Sequence, residues 1–473
     1  MSVADGVRGR FADLTRAEQG VVGFVVALAA LLVFGLVTGG LAPTYFLYLV
    51  GLVGMYVLLS FGLNAQWGYT GLINFSVAAF FGIGAYGTAL LTAGNSPIGA
   101  DGWQFRLLGV DLVWVSGARL YGLLPLTLVG LLAAILLAVV VAVAIGIPTL
   151  RLRADYLAIA SLGLAEVVRL LFLNQRDVTN GSAGLRGLPG FFDGWPVLGT
   201  LPQTLPGIRV HELQLGIPGV FTTRLFGFTL GTPFWQALLN VALVVAMAGA
   251  VYAVLRRVHR SPWGRVLRTI RSDDDLAEAL GKNTYAFKMQ SFVLGSVIMA
   301  LAGVFYAHLN LFVSPGDLEP INTFYVWIAV ILGGSGSNRG AILGGFVVIT
   351  IREGTRFLAE VLPASFPVDL PLVTSTYATI VNNFGSTRLL AVGVLIILVM
   401  RFRPQGVLPP QRELIWPASV AASAGPGETN PRETIDEETT ATATAAAPEA
   451  EADAADSEAE AGAAGRDGGE SDE

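Results

Sequence analysis

The stretch Tyr121-Gly-Leu-Leu-Pro-Leu-Thr-Leu-Val-Gly-Leu-Leu-Ala-Ala-Ile-Leu-Leu-Ala-Val-Val-Val-Ala-Val-Ala-Ile-Gly-Ile147 runs for 27 residues without a charged side chain. A helix rising 1.5 Å per residue needs about 20 such residues to cross the roughly 30 Å of hydrocarbon in a bilayer. Gly20 to Ala42 repeats the pattern. Over all 473 residues, 53% are hydrophobic and only 14% charged, a balance too apolar for an ordinary soluble enzyme of this length. The expected fold class is an all-α polytopic membrane protein with about ten transmembrane helices and small extracellular loop elements.

Hydropathy places these helices near residues 20–42, 45–62, 71–92, 121–147, 156–174, 234–255, 288–309, 321–334, 340–358 and 387–401. The first follows Arg8, Arg10 and Arg16 and outruns the roughly 7 to 15 apolar residues of a signal-peptide core, so it reads as an uncleaved anchor. With the N-terminus inside, the inner segments hold Arg151 and Arg153, eight basic residues from Arg256 to Lys288, and Arg339, Arg401, Arg403 and Arg412. The longer outer segments hold six, which favours a plasma-membrane protein with both termini cytoplasmic. Two long outer connections, 93–120 and 175–233, contain stretches such as Trp103 to Leu107 and Val220 to Leu230 that suit short strands as well as irregular loop.

Charge divides the chain. Residues 421–473 hold 15 acidic and 2 basic side chains, leaving a body of +7 and a tail of −13. The expected organisation is a cytoplasmic segment over 1–19, a membrane domain over 20–410 that includes a cytoplasmic loop at 256–288, and an acidic disordered tail over 411–473. The sequence has no cysteine, which excludes disulfides, thiolate metal sites and cysteine nucleophiles.

The inner loop is the most informative segment. Arg265, Arg268 and Arg271 precede Ser272-Asp273-Asp274-Asp275, which suits the N-terminus of a short helix capped by Ser272, and Gly281 supplies its stop. Pattern alone fits an amphipathic linker as well as a docking element. Before the third helix, Asn64, Gln66, Trp67, Thr70 and Asn74 lie among Gly62, Gly68 and Gly71. Glycine-broken polar sequence at membrane depth is tolerated where it is packed in protein or lines a cavity, so these residues suit either close helix packing or a solute pathway. Glu166 and Arg169 stand three apart on one helical face, where they neutralise each other. Gly333 to Gly340 is glycine-rich but lacks the Gly-Lys-Ser/Thr ending of a nucleotide loop. The histidines at 211, 259 and 308 give no metal-ligand spacing, and no second acidic motif accompanies the aspartate triplet, which argues against an intramembrane enzyme. Nothing points to nucleic acid.

Gly264-Arg265 followed by Arg268, Arg271 and Glu278-Ala279-Leu280-Gly281 resembles the coupling loop of ATP-binding-cassette permeases, in particular the membrane subunit of branched-chain amino acid importers. Leu63-Asn64 leading to Gly68-Tyr69-Thr70-Gly71, Phe81-Gly82-Ile83-Gly84-Ala85-Tyr86, Leu150 to Tyr156, and Arg403-Pro404-Gln405-Gly406 are similar to that family in the same order. The resemblance implies a permease subunit translocating branched-chain amino acids, or urea or a short amide as in close relatives. An ion-coupled secondary transporter is the rival, with Glu166 and Glu353 as its few deep carboxylates. It also implies two cytoplasmic ATPase subunits, a second homologous permease and an extracytoplasmic solute-binding protein, with no cofactor and no catalytic residue in this chain. Coupling to the ATPases is expected at Arg265, Arg268, Arg271, Asp273, Glu278 and Gly281. The solute pathway is expected at Asn64, Gln66, Trp67, Thr70, Asn74 and Glu166, with Thr179, Asn180 and Gly181 near the entrance.

Overall fold

Within Tyr121 to Ile147 the described residues form a helix, Leu126–Thr149, which continues two residues beyond Ile147. The computed structural model describes residues 16–37, 41–96, 103–107, 110–114, 126–195, 197–217, 221–226 and 228–354, with scattered positions between 383 and 408. Membrane-length or shorter apolar helices occupy α1 (Arg16–Val37), α2 (Pro43–Leu63), α3 (Val77–Thr92), α4 (Leu126–Thr149), α5 (Ala154–Asn174) and α6 (Thr232–Arg260). Two short helices follow, α7 (Pro262–Ser272) and α8 (Asp274–Ala279), and then α9 (Thr284–Asn310), α10 (Pro320–Gly333) and α11 (Asn338–Ile349). Among the described residues, five helices are long and apolar enough to span a bilayer, and shorter apolar helices accompany them, so the protein is an all-α polytopic membrane protein. The tenth predicted helix is described only in part, with helical positions at 387, 390, 392–394, 397–398 and 401, and the tail at 411–473 lies outside the described residues.

Helices α2, α3, α9, α10 and α11 form the buried centre, around Phe61, Phe80, Phe292, Phe305, Val326 and Val348. Helix α4 packs on it through a stripe of small residues, Gly130, Ala134, Ala138, Ala142 and Gly146, spaced four apart on one face. Its other faces, with Leu132, Leu136 and Val140, are exposed. A close crossing joins α3 to α9: a Cβ at Gly84 would lie 2.0 Å from the Ala300 carbonyl oxygen, and one at Gly303 would lie 1.9 Å from that of Phe81.

Three expectations are corrected. The third predicted helix, 71–92, begins only at Val77, because Gly71 adopts φ +75° and the chain runs non-helically to Ser76. Its backbone donors find tertiary partners instead, Phe75 N–H donating to Ser161 Oγ at 2.8 Å and Ala78 N–H to Thr323 Oγ1 at 3.1 Å. The single capped helix of the inner loop is two helices. Ser261 caps α7, and Asp273, in extended conformation, caps α8 by accepting from Leu276 N–H at 2.9 Å. Ser272 is the last residue of α7 rather than a cap, because Leu267 and Ile270 bury an apolar face that extends the helix back to Pro262.

The long loops contain short hairpins. Trp103–Leu107 pairs with Val110–Trp114, and Glu212–Ile217 pairs with Phe221–Phe226, both antiparallel.

Candidate functional site

At one end of the bundle, rich in Arg151, Arg153 and the arginines of α7, helix α2 does not simply stop. It continues into a π turn at Asn64–Gly68, and its polar side chains form a buried lattice. Asn64 uses both ends of its amide: Nδ2 donates to Asn338 Oδ1 at 3.0 Å, and Oδ1 accepts from Gly336 N–H at 2.7 Å. Tyr69 OH donates to the same Asn338 oxygen at 2.6 Å. Gln66 Nε2 donates to the Phe292 carbonyl at 2.8 Å, and its Oε1 accepts from Asn74 Nδ2 at 2.7 Å. Asn74 Oδ1 in turn accepts from Ser76 N–H at 2.8 Å, and Thr70 Oγ1 lies 3.2 Å from Ser291 Oγ. Asn64, Gln66 and Asn74 are fully buried, and their hydrogen bonds avoid the cost of about 1–3 kcal/mol that each unpaired buried group would carry.

Trp67 stands at the edge of this lattice, its ring 4.8 Å from Trp327, which stacks on Phe75 at the same distance and donates its indole N–H to the Asn74 carbonyl at 3.1 Å. Gly68 is sterically required: a Cβ there would lie 2.0 Å from Asn64 Oδ1 and 2.7 Å from Gly336 N. The closing motif reaches the same place, since a Cβ at Gly406 would lie 2.3 Å from Gly334 Cα, and Leu408 N–H donates to the Gly333 carbonyl at 2.9 Å.

Helix α7 is fastened to this lattice by Arg271. Its guanidinium donates to the Gly68 carbonyl inside the π turn and to Ser335 Oγ at 2.9 Å. The residue as a whole is exposed, yet protein surrounds its guanidinium closely enough that burial lowers its pKa from the ordinary arginine value; the group stays cationic. Arg268 donates to the His259 carbonyl at 2.8 Å, tying α7 back to α6, whereas Arg265 is exposed. Asp274 pairs with Lys288, joining α8 to α9, and Glu278 Oε1 accepts from Thr284 Oγ1 at 2.7 Å. Beyond these anchors and the buried Ala277, much of α8 faces outward. Asp273, Glu278 and Gly281 are exposed, and so are Leu276 and Leu280, at 51% and 65%. Gly281 ends the turn with φ +73° and open space around it.

The remaining candidate residues lie apart from this cluster. Glu166 and Arg169 form a forked ion pair in α5, with contacts of 2.5 and 2.9 Å, on a face that leaves their side chains 37% and 22% exposed. Thr179, Asn180 and Gly181 fold the chain after α5. Thr179 Oγ1 accepts no role in the lattice and instead donates to the Phe172 carbonyl at 2.5 Å, while Asn180 and Gly181 take left-handed conformations and Asn180 Nδ2 bonds the Gly184 carbonyl at 3.1 Å. Sequence reasoning missed Asn338, Ser335, Ser291 and Arg352. Asn338 and Ser335 sit in the glycine-rich stretch Gly333 to Gly340, where a polar run between two short apolar helices is the available signal.

Fold and site together define a polytopic helical membrane protein with a broken helix at its core and an amphipathic segment docked on one end of the break. The chain belongs to the family described as branched-chain amino acid transport system / permease component, whose profile matches residues 45–400. It is 27% identical over 358 residues to the high-affinity branched-chain amino acid transport system permease protein LivM of Escherichia coli K12, covering 76% of this chain and 68% of that one. The probable LivM protein of Methanocaldococcus jannaschii is 24% identical over 77% of this chain and 93% of its own length. The LivH protein of Salmonella typhimurium is 24% identical over 76% and 92%. No solved structure matches.

Proposed function

We propose that this chain is the membrane permease subunit of an ATP-driven importer that translocates branched-chain amino acids. The family match over residues 45–400 is the observation that carries this reading. The arginine-rich end of the bundle is cytoplasmic, in keeping with the positive-inside bias, and both termini lie on that side of the cell membrane.

Two ATPase subunits serve the complete transporter, and one of them docks on α8. Exposed Leu276 and Leu280, four apart on one helical face beside Glu278, suit a partner groove better than solvent. Closure of the ATPases pushes on α7 and α8, and Arg271 passes the displacement to the Gly68 carbonyl, so the broken segment between α2 and α3 shifts against α10 and α11. A π turn interrupts the regular helical ladder, and its Gly68 carbonyl accepts from a side chain of α7, so it is a natural place for such movement. A second, homologous permease covers α5, where a mid-helix ion pair would otherwise face lipid at considerable cost. A solute-binding protein delivers the amino acid from outside.

The test is uptake of labelled leucine and labelled urea into cells with and without the gene. Loss of leucine uptake alone is expected. Loss of urea uptake alone would keep the architecture and overturn the substrate.

A further inference from the structure

A cavity of about 330 Å³ opens among α2, α10 and the π turn Thr350–Gly354 that follows α11. It falls within the roughly 300–1,000 Å³ of small-molecule sites. Its wall carries both signs of charge together with a large apolar share. Arg352 supplies the positive charge. Its Nε faces Glu353 Oε1 at 3.2 Å, its Nη1 donates to Tyr56 OH at 2.8 Å and to Asn322 Oδ1 at 3.0 Å, and its guanidinium lies 4.3 Å from the centre of the Tyr325 ring.

These contacts fix the guanidinium plane and leave the two N–H groups of Nη2 without a hydrogen-bond partner among the described residues. Negative charge comes from Asp317 and Glu319, which line the same cavity. Asp317 is held by Tyr306 OH at 2.7 Å and by Ser314 N–H at 2.8 Å, whereas Glu319 is exposed at the mouth. Leu52, Met55, Leu59, Val326 and Ile349 make up the apolar wall.

Depth adds to the argument. Arg352 lies 14 residues beyond the start of α11 at the cytoplasmic end, hence about 21 Å along a helical path and about two-thirds of the way across the hydrocarbon. A fixed arginine beside carboxylates at that depth is costly unless it serves a polar route.

The geometry points to this cavity as the seat of a zwitterionic α-amino acid with an aliphatic side chain. The carboxylate lies on Arg352 Nη2, an oxygen accepting a charge-assisted hydrogen bond from its N–H. The ammonium turns to Asp317 and Glu319, and the side chain rests on Leu52, Met55 and Ile349. Urea, which carries no charge, would leave both wall charges unanswered. The assignment rests on the amino acid importer reading and adds to it the residues that hold the solute in transit.

Because the chain has no cysteine, Leu52→Cys places a single thiol on it. The probe is alkylation of this chain by N-ethylmaleimide in membranes holding the complete transporter, its binding protein and ATP, with leucine, leucinamide or urea at saturating concentration. Leucine is expected to slow alkylation at least fivefold, and leucinamide and urea less than twofold. Adding Arg352→Gln should abolish the protection and cut leucine uptake at least tenfold, with Arg352→Lys recovering part of both. Ile321→Cys at the cavity mouth gives the same readout if Leu52→Cys does not accumulate. A cysteine variant that transports leucine yet shows no protection, or an Arg352→Gln protein with unchanged uptake, overturns the assignment while leaving the importer reading intact. Failure of the unmodified transporter to take up leucine overturns both.

Discussion

Replacing Arg271 with alanine tests how α7 and α8 are joined to the membrane core. The side chain makes two hydrogen bonds, one to a buried backbone carbonyl in the π turn and one to a half-exposed serine hydroxyl. Hydrogen bonds from a charged donor contribute about 1.5–3 kcal/mol each, and solvent around Ser335 puts the second well below that range. A loss of about 2 kcal/mol in the coupling between α7 and the broken helix follows. At 1.4 kcal/mol per tenfold, that weakens the bias between the two access states about 30-fold. The Arg271→Ala transporter, reconstituted with its partners in vesicles, should hydrolyse ATP at near the normal rate while leucine uptake falls at least tenfold. Arg271→Lys, which keeps the charge but not the fork, should fall between. Uptake within twofold of normal in Arg271→Ala would falsify the transmission route.

Other perturbations have equally definite outcomes. Asn338→Ala strips the shared acceptor from both Asn64 and Tyr69 and should lower stability by about 2–4 kcal/mol, read as a drop in the melting temperature of the detergent-solubilised complex. Gly84→Ala drives a methyl group against the Ala300 carbonyl, which cannot move without shifting α9; a loss of about 1–3 kcal/mol or more, seen as reduced accumulation in the membrane, is expected. Gly281→Ala meets no neighbour and suffers only the left-handed backbone cost of about 1 kcal/mol, so its accumulation should be near normal. Replacing Glu278 with alanine should leave the protein inserted but separate ATP hydrolysis from uptake; normal uptake would count against docking at α8.

Much of the fold was legible because helices in a bilayer are local objects. Uninterrupted apolar runs such as Tyr121 to Ile147 must satisfy their backbone hydrogen bonds within the segment, so length and composition suffice to place them. The cluster of Gly62, Gly68 and Gly71 with Asn64, Gln66 and Asn74 likewise announced a broken helix, though not that it begins as a π turn nor that α3 starts only at Val77. That start depends on Ser161 and Thr323, which satisfy the loop's N–H groups from elsewhere in the chain.

The sequence by itself determined the membrane class, the positions of the apolar helices, the existence of a charged segment between α6 and α9, and the family. Only the tertiary structure decided which polar groups meet. Arg271 reaches Gly68 across 203 residues, Asn64 reaches Asn338 across 274, and Arg352 reaches Tyr56 across 296. Such pairings leave no period or spacing in the chain, because they are set by how helices distant in sequence cross through small residues like Gly84 and Gly303, and the cavity that Arg352 lines exists only once those crossings are made.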